Sequence, residues 1–278
     1  VIMGNKADRN IQVMGIVNLT DDSFFAGSRN LHADGTFDEE LFRCRIVNML
    51  ESGADILDLG ACSTRPGSES ICEEEEWKRL EPVLHILASE HPEVRISIDT
   101  FRPSVVSRAF DIVGPFVVND VSGGCEDMWR LLGQLQLPYI AMHTRGTPKN
   151  MQSLTDYDNV TEAVREFFEG IAAEADRHGV EDWILDPGFG FAKTVEQNWQ
   201  LLRKMAVFQE FDKRILVGLS RKSFLFRPLG ITPADALPAT LVADFIALQN
   251  GADILRVHDV AEAVRTVKLY RLFNQASA

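Results

Sequence analysis

The sequence predicts a single closed (β/α)₈ barrel, a TIM barrel of the α/β class, over residues 1–278, and three observations carry that prediction. The chain has 278 residues, a length suited to one such barrel. Short apolar runs rich in Val and Ile recur eight times, most of them followed by an amphipathic stretch. That is the signature of parallel strands buried on both faces and covered by helices. Each run ends in a polar or charged residue, as expected where strand ends converge on one functional mouth. An open doubly wound sheet is the lesser alternative, and no G-x-G-x-x-G follows the first run to support it.

In chain order, Val1–Asn10 is polar and is expected to be a flexible N-terminal extension. The first run, Gln12–Val17, ends at Asn18 and opens a long loop over Thr20–Gly35. Asp38–Ser52 follows as a helix with an acidic first turn, stopping before Gly53. The run Ile56–Leu59 contains Asp58 and leads into a second long loop, Ala61–Glu69. Loops of this length on a compact barrel are often functional. Glu73–Ser89 begins with a glutamate run that suits the positive end of a helix dipole.

The next runs are Val94–Ile98, ending at Asp99, and Phe116–Val118, ending at Asn119 and Asp120. Tyr139–Met142 ends at His143, and a helix over Thr161–His178 stops at Gly179. Trp183–Leu185 ends at Asp186 and passes through a Pro-Gly turn to a helix over Thr194–Met205. Ile215–Val217 leads to Ser220-Arg221-Lys222 and a helix over Ala236–Gln249. Ile254–Val257 carries Arg256, ends at His258 and leads to a helix over Ala261–Phe273. The wording Gly-Ala-Asp-Ile-Leu occurs twice, at Gly53–Leu57 and Gly251–Leu255, each time as a helix-capping glycine entering a strand.

Composition excludes several classes. A net charge of −13 argues against nucleic acid or an anionic membrane as partner. No apolar run approaches the ~20 residues that cross a bilayer. The four cysteines form no CxxC pair and no Cys/His metal spacing, which reads as reduced thiols of the cytoplasm. Signatures of P-loop ATPases, zinc proteases and α/β-hydrolases are missing.

A single polar strand end is most simply a turn residue or a helix cap, and Asp58 or Asp120 alone is read that way. Eight together suggest a site. Lys222, Arg256, His258 and Arg65 suit a phosphate or diphosphate. Asp99, Asn119 and Asp186 are acceptors suited to a flat heterocycle with adjacent N–H donors. One ligand with a donor-rich ring and a diphosphate would use both sets. The opposing reading is an internal salt-bridge network joining the same charges.

Eight segments, in order along almost the whole chain, resemble the dihydropteroate synthases. They are Met14–Asn18 with Asp22-Ser23-Phe24, Ser63–Gly67, Ser97–Thr100, Val118–Gly123, Met142–Pro148, Asp186–Phe191, Gly218–Ser223 and Leu255–Asp259. The resemblance implies condensation of 6-hydroxymethyl-7,8-dihydropterin diphosphate with 4-aminobenzoate, giving dihydropteroate and diphosphate by an SN1-like displacement. It implies that Asp99, Asn119, Asp186 and Lys222 hold the pterin, with Met142, Phe191 and Gly218 lining its slot. Asn18 is implied to help hold Mg²⁺ and the diphosphate, gripped also by Arg256 and His258. Thr64, Arg65, Pro66, Ser223 and Phe24 are implied to form the aminobenzoate pocket. Asn18, Asp99, Lys222, Arg256 and His258 are the residues on which catalysis is expected to rest.

The family also implies sulfonamide sensitivity and a homodimer formed through the helices of the last repeats. The sequence departs from the family pattern at Asp21, Ala26 and Ala61-Cys62. All four lie in the two long loops. A corrinoid-dependent methyltransferase on the same scaffold shares the pterin-holding set but has no use for Lys222-Ser223 with Arg256 and His258. A non-catalytic pterin-binding relative is a second alternative, kept open by Ala26, and a regulatory barrel that binds a phosphorylated metabolite is a third, lesser one.

Overall fold

The computed structural model describes residues 9–19, 37–62 and 71–276. Eight parallel strands follow one another around the barrel: β1 (Gln12–Asn18), β2 (Ile56–Gly60), β3 (Ile96–Asp99), β4 (Val117–Asp120), β5 (Tyr139–Met142), β6 (Trp183–Asp186), β7 (Leu216–Val217) and β8 (Ile254–Val257). Their order is β6-β5-β4-β3-β2-β1-β8-β7. A parallel bridge between Leu185 and Ile215 closes the remaining gap between β6 and β7. The barrel is therefore closed, as the eight runs predict, and the open sheet is excluded.

The helices between strands are α1 (Glu39–Glu51), α2 (Glu73–Glu90), α3 (Pro103–Val113), α4 (Glu126–Leu135), α5 (Val160–His178), α6 (Val195–Lys204), α7 (Ser223–Phe226), α8 (Leu237–Gln249) and α9 (Val260–Gln275). Local chemistry sets several boundaries. Asp38 caps α1 by accepting from Leu41 N at 2.9 Å. Thr194 and Gln197 form a reciprocal capping box at the start of α6. Two short helices, α3 and α4, are not singled out by the sequence pattern. Pro103 opens α3 at its first turn, and Val105, Val106 and Ala109 form its buried face. Acidic residues open α4, which buries Met128, Trp129 and Leu132.

Two hydrophobic layers result. Inside the barrel, Met14, Ile56, Val117, Ile140, Ile184, Leu216 and Ile254 form one cluster, so the lumen is packed rather than hollow. The larger cluster joins the outer strand faces to the helices. The repeated Gly-Ala-Asp wording has a structural role in both copies. Asp55 Oδ2 accepts from Val13 N at 2.7 Å and Asp253 Oδ2 from Ile215 N at 2.9 Å. Each aspartate thus receives an N–H from the neighbouring strand's start. Arg9 pairs with Asp253 and fastens the chain ahead of β1. Among the described residues no single helix is long and apolar enough to cross a membrane.

Candidate active site

Side chains on a strand alternate between faces, so Asp58 shares the lumen-facing side of Ile56. It is fully buried. Asn119 Nδ2 donates to its two oxygens at 3.2 and 3.3 Å, and Arg256 Nε donates at 2.7 Å. Arg256 Nη2 lies 2.6 Å from Asp58 and 2.9 Å from Asp99 Oδ2. Burial raises the Asp99 carboxyl to about 7, although Arg256 pulls it the other way. Burial works to lower Arg256, but Asp58 and Asp99 together hold it above its ordinary value. The guanidinium therefore stays charged.

This network leaves defined groups for a ligand. Asn119 commits its NH₂ to Asp58, so its carbonyl oxygen is directed elsewhere as an acceptor. Arg256 Nη1 makes no hydrogen bond among the described residues.

The opposite wall comes from the ends of β5, β6 and β7. Asp186 is buried and accepts from Gly188 N at 2.8 Å. Burial raises its pKa, opposed by the Gly188 hydrogen bond and by Lys222. The Asp186–Phe191 turn depends on Gly188, which has φ 67° and lies where a Cβ would come within 1.9 Å of the His143 carbonyl oxygen. Lys222 Nζ donates to the Phe189 carbonyl and stands 4.3 Å from the centroid of the Phe191 ring. Burial brings Lys222 down to about 8, with Asp186 opposing. Met142 is buried at the end of β5. A Cβ placed on Gly218 would meet nothing within 4 Å, so this glycine borders open space. Ser223 begins α7 beside Lys222.

The third wall is at β8. His258 Nδ1 is 3.0 Å from Ser220 Oγ, which fixes the ring. Arg221 forms a two-point pair with Asp259 at 2.9 Å through Nε and Nη2. A crevice of about 360 Å³ runs from His258 and the start of α9 to Arg45 and Met49 of α1. Asn18 ends β1 close by, and its Oδ1 lies 3.9 Å from where a Gly60 Cβ would stand, with Asp99 Oδ2 3.7 Å from the same point.

The fold thus gathers Asn18, Asp99, Asn119, Met142, Asp186, Phe191, Gly218, Lys222, Ser223, Arg256 and His258 at the strand ends. Phe24, Thr64, Arg65 and Pro66 lie outside the described residues, as do Asp21 and Ala26. Several strand ends turn away from the mouth. Asp120 accepts from Ser122 N at 2.7 Å and from Tyr139 Oη at 3.1 Å, a turn role. His143 is buried against Phe167 and Lys193, and burial drives its imidazole down to about 2. Asp58 is the reverse: read as a turn residue, it is the acceptor at the centre of the network. Its signal was a carboxylate in phase with the lumen-facing residues of an otherwise apolar strand.

A hard divalent cation fits the Asn18 corner in one respect. Asn18 offers a neutral amide oxygen, as expected where phosphate and water complete the coordination of Mg²⁺. Among the described residues, the grouped metal-ligand set lies elsewhere, at Glu126, Glu174 and His178.

Comparison with known proteins agrees with this geometry. The family model described as pterin binding enzyme matches residues 14–258. The dihydropteroate synthase of Escherichia coli K12 is 38% identical over 261 residues, covering 92% of this chain and 89% of the relative. The crystal structure of Yersinia pestis dihydropteroate synthase with a sulfonamide drug complex superposes with a TM-score of 0.87 at 33% identity, covering 96% and 95% of the two chains. The Thermus thermophilus dihydropteroate synthase in complex with 4-aminobenzoate superposes with a TM-score of 0.82 at 33% identity, with the same coverage.

Proposed function

The chain belongs to the pterin binding enzyme family, among the dihydropteroate synthases, and from that membership we propose how its barrel mouth performs the reaction. It is an enzyme, a transferase of folate biosynthesis. The observation that carries the proposal is the division of the mouth into an acceptor set and a cationic set. Asp99, Asn119 Oδ1 and Asp186 receive the adjacent N–H donors of the dihydropterin ring. Lys222 reaches its other edge, with Phe191 and Met142 lining the slot. Arg256 Nη1 and His258 hold the diphosphate. Mg²⁺, when bound at Asn18, supplies further neutralisation of the leaving diphosphate.

The bond between the methylene carbon and the diphosphate oxygen breaks, and its electron pair leaves with diphosphate. The methylene cation is conjugated with the pterin ring, and the carboxylates of Asp99 and Asp186 favour it electrostatically. The neutral arylamine of 4-aminobenzoate donates its lone pair to form the C–N bond and then loses a proton. Because that amine is already nucleophilic, the mouth needs no strong general base.

Ser223, together with Phe24, Thr64, Arg65 and Pro66 from the two long loops, forms the aminobenzoate pocket, and sulfonamides compete there. Binding of diphosphate precedes and promotes binding of 4-aminobenzoate. Calorimetry tests this directly: inorganic diphosphate with Mg²⁺ should raise the affinity for 4-aminobenzoate, and an unchanged affinity contradicts the order. The physiological assembly is a homodimer in the cytoplasm. Val242, Leu269, Leu272 and Phe273 are 57–62% exposed on α8 and α9, an apolar set that a second copy would cover.

A further inference from the structure

Lys193 is 4% exposed and has no part in the reaction just described. Its Nζ lies 2.9 Å from the Gly188 carbonyl oxygen, 3.1 Å from the Phe191 carbonyl oxygen and 3.0 Å from His143 Nδ1. Nζ donates to the two carbonyls and, with the His143 proton on Nε2, to Nδ1 as well; burial brings the Lys193 pKa down to about 7, with Asp186 opposing. The backbone explains the convergence. Gly188, Gly190 and Ala192 have φ values of 67°, 82° and 48°, so alternate residues of the turn are left-handed. Asn198 Oδ1 accepts from Gly190 N at 2.7 Å and holds the turn from the other side. The Ala192 conformation is unfavourable for a residue with a Cβ, so tertiary contacts must hold it.

We propose that Lys193 is a positioning residue for the pterin slot, a tethered amine around which the Asp186–Ala192 turn is shaped. This rests on the pterin-binding reading above. Three elements of the slot hang on that turn: the Asp186 carboxylate, the Phe191 ring and the Phe189 carbonyl that accepts from Lys222. Lys193 also favours the ionised form of Asp186. Removing the amine leaves the buried Gly188 carbonyl, the part-buried Phe191 carbonyl and one imidazole nitrogen without that donor. The turn then loses its fixed shape, and the ring of a ligand loses its partners. The diphosphate end, held by Arg256 and His258 on β8, does not touch the turn.

The test separates the two ends of the mouth. Calorimetry with 6-hydroxymethylpterin and, separately, with inorganic diphosphate and Mg²⁺ is carried out on wild type and Lys193→Met. The folded fraction is measured by circular dichroism, so affinities refer to folded molecules. The Met variant should bind the pterin at least about tenfold more weakly, with diphosphate affinity within about twofold of wild type. His143→Phe and His143→Gln form a second pair that does not alter Lys193. His143→Phe keeps the packing against Phe167 and removes an acceptor, so it should weaken pterin binding selectively. His143→Gln restores an acceptor and should recover much of the loss. Wild-type pterin affinity in folded Lys193→Met, or in His143→Phe, overturns the role of Lys193. Equal loss at both ends also overturns it, since it marks a general structural effect. Wild type that binds diphosphate but no pterin instead removes the pterin-binding reading and this inference with it.

Discussion

Asp58→Asn probes the centre of the site while nearly preserving its shape. Wild-type Asp58 accepts from both Asn119 and Arg256. Asparagine at 58 keeps one carbonyl oxygen but gains an NH₂ that must face either a guanidinium or another amide. The relief available is for Asn119 to flip, which turns its own NH₂ toward the ligand. Breaking a buried ion pair by removing one partner costs ~3–5 kcal/mol. Asp99 remains on Arg256, so the lower end of that range applies, about 3 kcal/mol, or a fall in Tm of roughly 6–10 °C. A donor opposed to the ring donors of the pterin costs ~2–3 kcal/mol more in binding, about 30- to 140-fold in Kd. A third readout follows from Asp58 raising the Asp99 pKa. In the variant, Asp99 ionises at lower pH, and the pH profile of pterin binding moves to the acid side. Thermal unfolding and calorimetry across pH measure all three. A Tm within about 2 °C of wild type together with a pterin Kd within about twofold would refute the reasoning.

Three further outcomes are expected. Asp244 is buried on α8 with neither oxygen hydrogen-bonded among the described residues, and burial raises its carboxyl to about 8 from 3.8. The folded state therefore holds a proton that the unfolded state releases, and stability falls as pH rises from about 4 to about 8 by several kcal/mol, at ~1.4 kcal/mol per unit. Asp244→Asn removes that loss, so its Tm advantage should widen between pH 5 and 8; a constant gap contradicts the assignment. Lys222→Ala should lose pterin affinity and turnover together. In wild type, pterin affinity should decline as pH rises through about 8 with loss of the Lys222 proton, and near-normal kinetics in the variant remove Lys222 from the site. Sedimentation should find the proposed dimer in wild type and a monomer in Leu272→Glu with Phe273→Glu; a dimer that survives both changes places the interface elsewhere, and a monomeric wild type removes the dimer.

The barrel was legible because strands buried on both faces leave unbroken apolar runs, and all eight appear within one or two residues of the observed strands. The helices α3 and α4 were not, being short; Gly114 stops α3 much as Gly179 stops α5, but α4 ends at the left-handed Gln136. The ends of the site, Asp99, Asn119, Asp186, Lys222, Arg256 and His258, were legible as a set of polar residues with complementary chemistry. Individual roles were less so. A lone carboxylate such as Asp58 and one such as Asp120 look alike in sequence. Only the strand register shows the first facing Arg256 and the second capping a turn. Lys193, just ahead of the Thr194 cap, carries no motif or spacing that singles it out. Its burial follows from the left-handed turn that folds the preceding carbonyls over it. The charge network that opposed a ligand site is also real, since Arg256 pairs with Asp58 and Asp99. It coexists with a site because Arg256 Nη1 and Asn119 Oδ1 remain outside it.

The central claim is that this mouth joins dihydropterin diphosphate to 4-aminobenzoate, with diphosphate leaving. The most direct measurement incubates the protein with both substrates and Mg²⁺ and follows dihydropteroate and diphosphate in the same reaction. Equal molar appearance of the two, suppressed by a sulfonamide competing with 4-aminobenzoate, is the predicted result. Tight binding of the pterin diphosphate with neither product formed would contradict the account.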